Sequence, residues 1–354
     1  MKVGILSFPH SPSIGAMLQM GALYQTIEDL GYNVEIINYV SDKVNHQQKK
    51  DITLKSVVVN ILSKILLKSA KPSYVDFEKK LKMFPDTPTC TEEGLLSIAS
   101  HFDRIIVGSD QVWNPDVTGH DLNFYLKFCD CSNKKISYAA SFGFQHLDPQ
   151  DTEEIKHLLN DFSYISVREK DGQNIVESLT GRKATLVLDP TLLIHPQYYM
   201  NSIRANKLKR KYVLFYCIKP SSNLYYIAKE YAKENGFELV TVGGRIKDRF
   251  NPTKHPQYGV GPTEFISLVN SAECVFTNSF HGVAISIALH TDFYVELSSE
   301  TNSRLINITQ MFQLQDRIIE KNVPNKHKVD YIKVDRLLAI QRERSMNYLI
   351  EALN

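Results

Sequence analysis

Cysteine and tryptophan are scarce: five of the 354 residues are cysteine (Cys90, Cys129, Cys131, Cys217, Cys274) and one is tryptophan, Trp113. An odd number of scattered cysteines in a chain this long builds no disulfide framework, and it leads us to expect reduced thiols and a cytoplasmic location. Cys129 and Cys131 stand close together, but no second Cys or His pair lies at ligand spacing nearby, so no metal site is expected. No apolar run approaches the roughly 20 residues of a membrane span. Met1 leads directly into KVGILSF without a charged leader and apolar signal core, so export is not expected. An excess of one charge is missing too. The 41 basic and 39 acidic residues leave a net charge of +2, without the clustered basic surplus of a nucleic-acid binder. Small anions stay open as ligands.

What the chain does have is core material, with 43% hydrophobic and 10% aromatic residues. Its length passes the size at which one core stops growing, so two domains are expected. Short apolar runs alternate with helix-period segments throughout, the pattern of an α/β protein with parallel sheets covered by helices on both faces. The first half reads as strands KVGILSF, NVEIINYV, RIIVGS, ISYAAS, YISVR and TLVLD, with helices at Gly15–Leu30 and near 150–160 and 170–179, and a long helical insert before RIIVGS. The second half restarts with strands KYVLFYCI, ELVTVG, ECVFT and DFYVEL, and with helices near 222–235, at Pro262–Ser271, at Ser279–Leu289 and from about 302. We expect domains at 1–200 and 205–325, and a C-terminal helix within 330–354 that crosses back to the first domain. Within the insert, Leu54–Leu67 reads as a packed helix with Lys55, Lys64 and Lys68 reaching solvent, or as a basic, apolar helix lying on an anionic membrane surface.

In open parallel sheets ligands bind beyond the carboxyl ends of the strands, so the residues after each strand carry the chemistry. The most telling stretch is VFTNSFHGVAISIAL, residues 275–289, where a strand turns through Asn278, Ser279, Phe280, His281 and Gly282 into a helix. The first N–H groups of a helix lack internal partners and sit at its positive end, so an anion is favoured there, with His281 beside it. The same turn also reads as a plain capped helix. After RIIV, the turn Gly108 to Pro115 packs Asp110, Gln111, Trp113 and Asn114 together. After YISV comes Arg168, whose planar fork suits carboxylate and phosphate. Asp110 could instead cap a turn, Arg168 could pair with Glu169 or Asp171, and Trp113 could be a packing residue.

At these residues the chain resembles the polysaccharide pyruvyl transferases. The resemblance runs through the opening loop and helix with Gly15-Ala16-Met17-Leu18-Gln19, IIVGSDQVWNP (105–115), ISVREKDG (165–172) and LVLDPTLL (186–193), and is strongest in VGPTEFISLVNSAECVFTNSFHGVAISIAL (260–289) and Asn302-Ser303-Arg304. The opening loop departs from it, reading HSPSIG where many members carry an Asn-Tyr-Gly turn. The resemblance implies two Rossmann-like domains with a cleft between them, as in the glycosyltransferase B fold. It also implies phosphoenolpyruvate as co-substrate with no other cofactor, and a pyruvate ketal formed on a sugar of a glycan or lipid-linked acceptor. By that resemblance Asp110, Arg168 and His281 are the catalytic candidates, with Asp110 as base and His281 as proton donor or phosphate binder, or the reverse. Donor binding would fall to Arg168, Asn278, Ser279, Phe280, His281 and Gly282, and acceptor binding to Ser13, Gly15, Gln19, Gln111, Trp113 and Asn114. If the acceptor is lipid-linked, the enzyme would touch the inner face of the membrane. Rival expectations are a sugar-nucleotide-dependent glycosyltransferase and a non-catalytic glycan-binding protein, since one fold serves many functions.

Overall fold

The computed structural model describes residues 1–43, 72–144, 152–203, 208, 210–242, 255–257, 259–297, 302–319 and 327–354. The basic helix read at Leu54–Leu67, with Lys55, Lys64 and Lys68, lies outside the described residues. The chain divides into two compact units. The first holds the residues up to 43, Glu78–Ile194 and Ile340–Asn354, and the second holds residues 72–77 and His195–Ala339.

The first unit is built on a parallel sheet of seven strands: β1 (Lys2–Leu6), β2 (Asn33–Tyr39), β3 (Met83–Thr89), β4 (Arg104–Asp110), β5 (Lys135–Ala140), β6 (Ser166–Val167) and β7 (Thr185–Leu186), in the order β3-β2-β1-β4-β5-β6-β7. Val3, Ile5, Ile105, Ile106, Val107 and Ile136 are fully buried, as expected of parallel strands covered on both faces. Helix Ile14–Asp29 starts one residue before the expected Gly15, because Ser13 caps it by accepting from the Ala16 N–H. The stretch before RIIVGS differs from the expected long helical insert. It contains β3, an edge strand reading MFPDTPT, and helix Glu92–His101. Proline cannot donate to a ladder and is tolerated only on such edges, which is why this strand did not read as one. Strands β4 and β5 approach so closely that a Cβ at Gly108 would stand 2.3 Å from the Tyr138 carbonyl oxygen. The strand runs through Asp110, which ends it at φ +68°, a left-handed backbone that costs a non-glycine residue energy and redirects the chain.

The second unit repeats the plan with six parallel strands: β8 (Tyr212–Tyr216), β9 (Glu238–Val242), β10 (His255–Gln257), β11 (Cys274–Thr277), β12 (Phe293–Glu296) and β13 (Ile318–Ile319), in the order β10-β9-β8-β11-β12-β13. The short edge strands β10 and β13 carry too little apolar pattern to be read from sequence. Helix Phe280–Ala288 follows the central strand β11, and every one of its side chains is buried. Helix Tyr331–Leu353 is long enough to serve both units: Tyr331 donates to the Ser286 and Thr291 carbonyls of the second, whereas Ser345 accepts from the Leu188 N–H of the first and Tyr348 donates to the Ser137 carbonyl.

Candidate active site

In the first unit a pocket of about 360 Å³ opens beyond the carboxyl ends of β1, β2 and β4. Ser7, Ser11, Ser13 and Ser41 line it together with Asp110 and Gln111. Phe8 and Phe124 form an apolar side, their ring centroids 5.1 Å apart. Asp110 Oδ1 accepts from the Gln111 N–H at 2.9 Å. Its carboxylate lies 3.7 Å from Arg168 Nη2, so the structure joins two of the three catalytic candidates.

Arg168 is surrounded by acidic side chains. Its side chain is 2% exposed, and its fork faces Asp189 at 2.6 Å, Glu169 at 3.7 Å and Asp110. Burial opposes the charge, but Asp189, Glu169 and Asp110 outweigh it and raise the Arg168 pKa above its ordinary value. A guanidinium facing three carboxylates holds Asp110 in place. Asp189, in the LVLDPTLL motif, completes this cluster: it accepts from Ser109 Oγ, from the Thr191 N–H and from Thr191 Oγ1. Its role was not legible in the sequence because Ser109 and Arg168 stand 80 and 21 residues away.

Of the expected acceptor residues, Ser13 and Gln111 line the pocket, whereas Gly15, Gln19, Trp113 and Asn114 do not. Gly15 is buried in the first turn of its helix. Gln19 is fully buried, and its Nε2 donates to Ser7 Oγ at 2.9 Å, so it positions a pocket hydroxyl. Asn114 caps the helix Pro115–Thr118 and donates to Gln111 Oε1 at 2.7 Å, holding that amide. Trp113 is 1% exposed, stacks on Tyr125 and donates its indole N–H to the Phe124 carbonyl, so it belongs to the core under the pocket.

The second cluster lies in the second unit, at the end of β11. Ser279 caps helix Phe280–Ala288 by accepting from the Gly282 N–H, while its own N–H donates to Thr277 Oγ1. Gly282 must be glycine here, because a Cβ would stand 2.4 Å from Thr277 Oγ1. His281, in the first turn of the helix, is 6% exposed and meets Phe280 edge to face at 5.3 Å. Asn278 links two strand ends: its Oδ1 accepts from the Ile218 N–H at 2.9 Å and its Nδ2 donates to the Lys219 carbonyl at 2.8 Å, pinning the loop after β8 to the end of β11. Helix Asn302–Met311, which carries Arg304, packs against Phe280–Ala288.

Among the described residues no group of three or more His, Cys, Asp or Glu side chains is arranged to hold a metal ion. Cys129 is buried, and the Cys131 thiol donates to Asn133 Oδ1. No helix among the described residues is long and apolar enough to cross a membrane.

Two Rossmann-like units, each with its polar residues at the carboxyl ends of parallel strands, define a glycosyltransferase B-like protein. Solved structures with the same fold include the UDP-GlcNAc 2-epimerase of Neisseria meningitidis bound to UDP-GlcNAc (TM-score 0.56, 11% identity, covering 100% of this chain and 99% of that one), that of Rickettsia bellii (0.51, 8%, 99% and 96%) and that of Methanocaldococcus jannaschii (0.50, 14%, 97% and 93%). At such identities the likeness defines the fold alone. No curated protein matches the chain significantly. The polysaccharide pyruvyl transferase family model matches residues 14–295, and the chain belongs to that family of transferases.

Proposed function

We propose that the protein moves the pyruvyl group of phosphoenolpyruvate onto two hydroxyls of one sugar in a polysaccharide precursor and closes a cyclic ketal. The observation that carries this reading, beyond the family, is the pocket of the first unit. It sets one carboxylate, Asp110, among four serines and beside aromatic residues, a combination of polar and apolar side chains that suits a sugar with its hydroxyls and its apolar face. Its volume of about 360 Å³ suits a small ligand such as one or two sugar rings.

The chemistry requires protonation of the donor methylene, attack of two sugar oxygens on the carbon that bore the enol oxygen, and loss of phosphate. Two C–O bonds form and the C–O bond to phosphate breaks. Of the two hydroxyl protons, one is balanced by the new methyl hydrogen and one leaves with phosphate. Asp110, fixed by Arg168, serves as base for one acceptor hydroxyl. The start of helix Phe280–Ala288 takes the phosphate, because its outermost N–H groups and dipole favour an anion, and His281 delivers the proton to the methylene or holds the phosphate.

The test is incubation with phosphoenolpyruvate and a panel of soluble sugars and lipid-linked oligosaccharides, following phosphate release and the mass of the acceptor. Release of phosphate with gain of one pyruvyl ketal is the expected result. Release of a nucleoside diphosphate from a sugar nucleotide would make the protein a glycosyltransferase instead, and binding of glycans with neither reaction would make it a lectin.

A further inference from the structure

The ketal reaction takes protons from two hydroxyls, and Asp110 accounts for one. A second titratable side chain of the same pocket is His10, on the loop between β1 and helix Ile14–Asp29. Pro9 and Pro12 flank it with fixed φ, and a turn from the Ser11 N–H to the Phe8 carbonyl holds the loop. His10 is exposed within the pocket, whereas its Nε2 lies 2.8 Å from Asn38 Oδ1.

The orientation of Asn38 decides what that contact means. The register of β2 against β3 shifts between Ile37 and Tyr39, and the Asn38 side chain reaches the edge strand at this irregularity. Its Nδ2 stands 3.0 Å from the Pro85 carbonyl oxygen and 3.4 Å from that of Asp86. Carbonyls only accept, so the NH₂ group faces them and the amide oxygen faces His10. An amide oxygen also only accepts, hence His10 Nε2 carries the hydrogen. In the neutral ring Nδ1 is then the lone-pair nitrogen. This is the logic by which a histidine base is held in one tautomer through the partner on its other nitrogen.

From this geometry we propose that His10 Nδ1 is the base for the second acceptor hydroxyl, with Asn38 as its positioning residue; the inference rests on the ketal-forming reading above. As the second C–O bond closes on the carbon that phosphate has left, the hydroxyl proton passes to Nδ1. The imidazolium formed is stabilised by the Asn38 oxygen and returns the proton to solvent with the phosphate. Two bases of different kinds in one pocket suit a diol, whose oxygens must lose protons at different steps.

The tautomer is measured with ¹⁵N-histidine-labelled protein, with the His10 signals assigned by their loss in His10→Gln. A neutral His10 protonated at Nε2 is expected, with the preference lost in Asn38→Leu. Protonation at Nδ1 overturns the inference. Addition of a sugar diol that the enzyme accepts should move the His10 Nδ1 resonance, and an unmoved resonance also overturns it. In steady state His10→Gln should lose on the order of a hundredfold in turnover with the KM for phosphoenolpyruvate unchanged. Ketal formation by the wild-type protein together with undiminished turnover in His10→Gln overturns the role of His10 alone. Failure of the wild-type protein to form any ketal overturns the reading it rests on, and leaves the measured tautomer intact.

Discussion

Arg168 is the residue whose removal should be felt most widely. It is the cation facing Asp110, Glu169 and Asp189 in a buried cluster, so Arg168→Met leaves those carboxylates uncompensated. A loss of about 3–5 kcal/mol is expected in urea unfolding, the scale for breaking a buried pair from one side. Arg168→Lys should lose less stability, because the charge stays, yet it should lower turnover, because a point charge cannot hold Asp189 and Asp110 together. Equal turnover in the lysine variant would separate the cluster from the chemistry. His281→Asn, by contrast, should fold normally and lose roughly a hundredfold in turnover while still binding phosphoenolpyruvate. Near-normal turnover would reduce His281 to part of a helix cap. The placement of Asp110 and His281 beside the carboxyl ends of strands was legible in the sequence because a charged or ring side chain just past an apolar run falls there. His10, Asn38 and Asp189 were not, since what fixes each is a contact with another segment: Asn38 stands 28 residues from His10, and Asp189 stands 21 from Arg168. The burial of Trp113 and Gln19 depends on packing that one segment alone does not reveal.

At the scale of elements, the ends of strands are tied to one another by side chains. Asn278 ties the β8 and β11 ends through the backbone of Ile218 and Lys219, so Asn278→Ala should cost about 1–3 kcal/mol and speed hydrogen exchange at the Ile218 amide. An Ile218 amide as slow as in the wild-type protein would mean that the loop is held by something else. Gly108→Ala should be far worse than its size suggests. The added methyl meets a backbone oxygen of β5, not a yielding side chain, and β4 would have to leave its neighbour. Loss of soluble protein, or a steep fall in melting temperature, is the expected outcome. Most central strands and long helices were legible, because parallel strands buried on both faces read as unbroken apolar runs. The edge strands were not. Strand β3 carries Pro85 and Pro88, and β10 and β13 are too short for any periodicity. Strand β3 bears on the site, because the carbonyls that orient Asn38 belong to it.

For the molecule as a whole, buried weak acids dominate the response to alkali. Burial pushes the Cys217 thiol up to about 12 and Tyr198 and Tyr231 to about 12, and it raises Cys274, Tyr138 and Tyr331 as well. Each of these groups is neutral when protonated. The unfolded chain gives up such protons from about pH 9 for cysteine and 10 for tyrosine, whereas the folded chain keeps them. Their contribution is therefore fully present below pH 9 and is lost as pH rises toward 12. The urea midpoint should fall steadily over that window at constant ionic strength. A midpoint flat from pH 9 to 11 would mean that these groups titrate in the folded protein. Two units were legible from chain length and from the restart of the strand pattern. The expected return of the C-terminal helix to the first domain corresponds to Ile340–Asn354, which belong to the first unit, whereas the place of residues 72–77 in the second unit was beyond any local pattern.

That discontinuity has a consequence for biosynthesis. The β5, β6 and β7 region is closed by Ser345 and Tyr348, which reach the backbone of Leu188 and Ser137. On the ribosome these two side chains appear only after every residue of the second unit has been made. The unit translated first is thus finished last, and until then its strands wait with unmet partners while its neighbour can already fold. Chains truncated before residue 340 and released from the ribosome should therefore resist protease in the second half and be cut in the first.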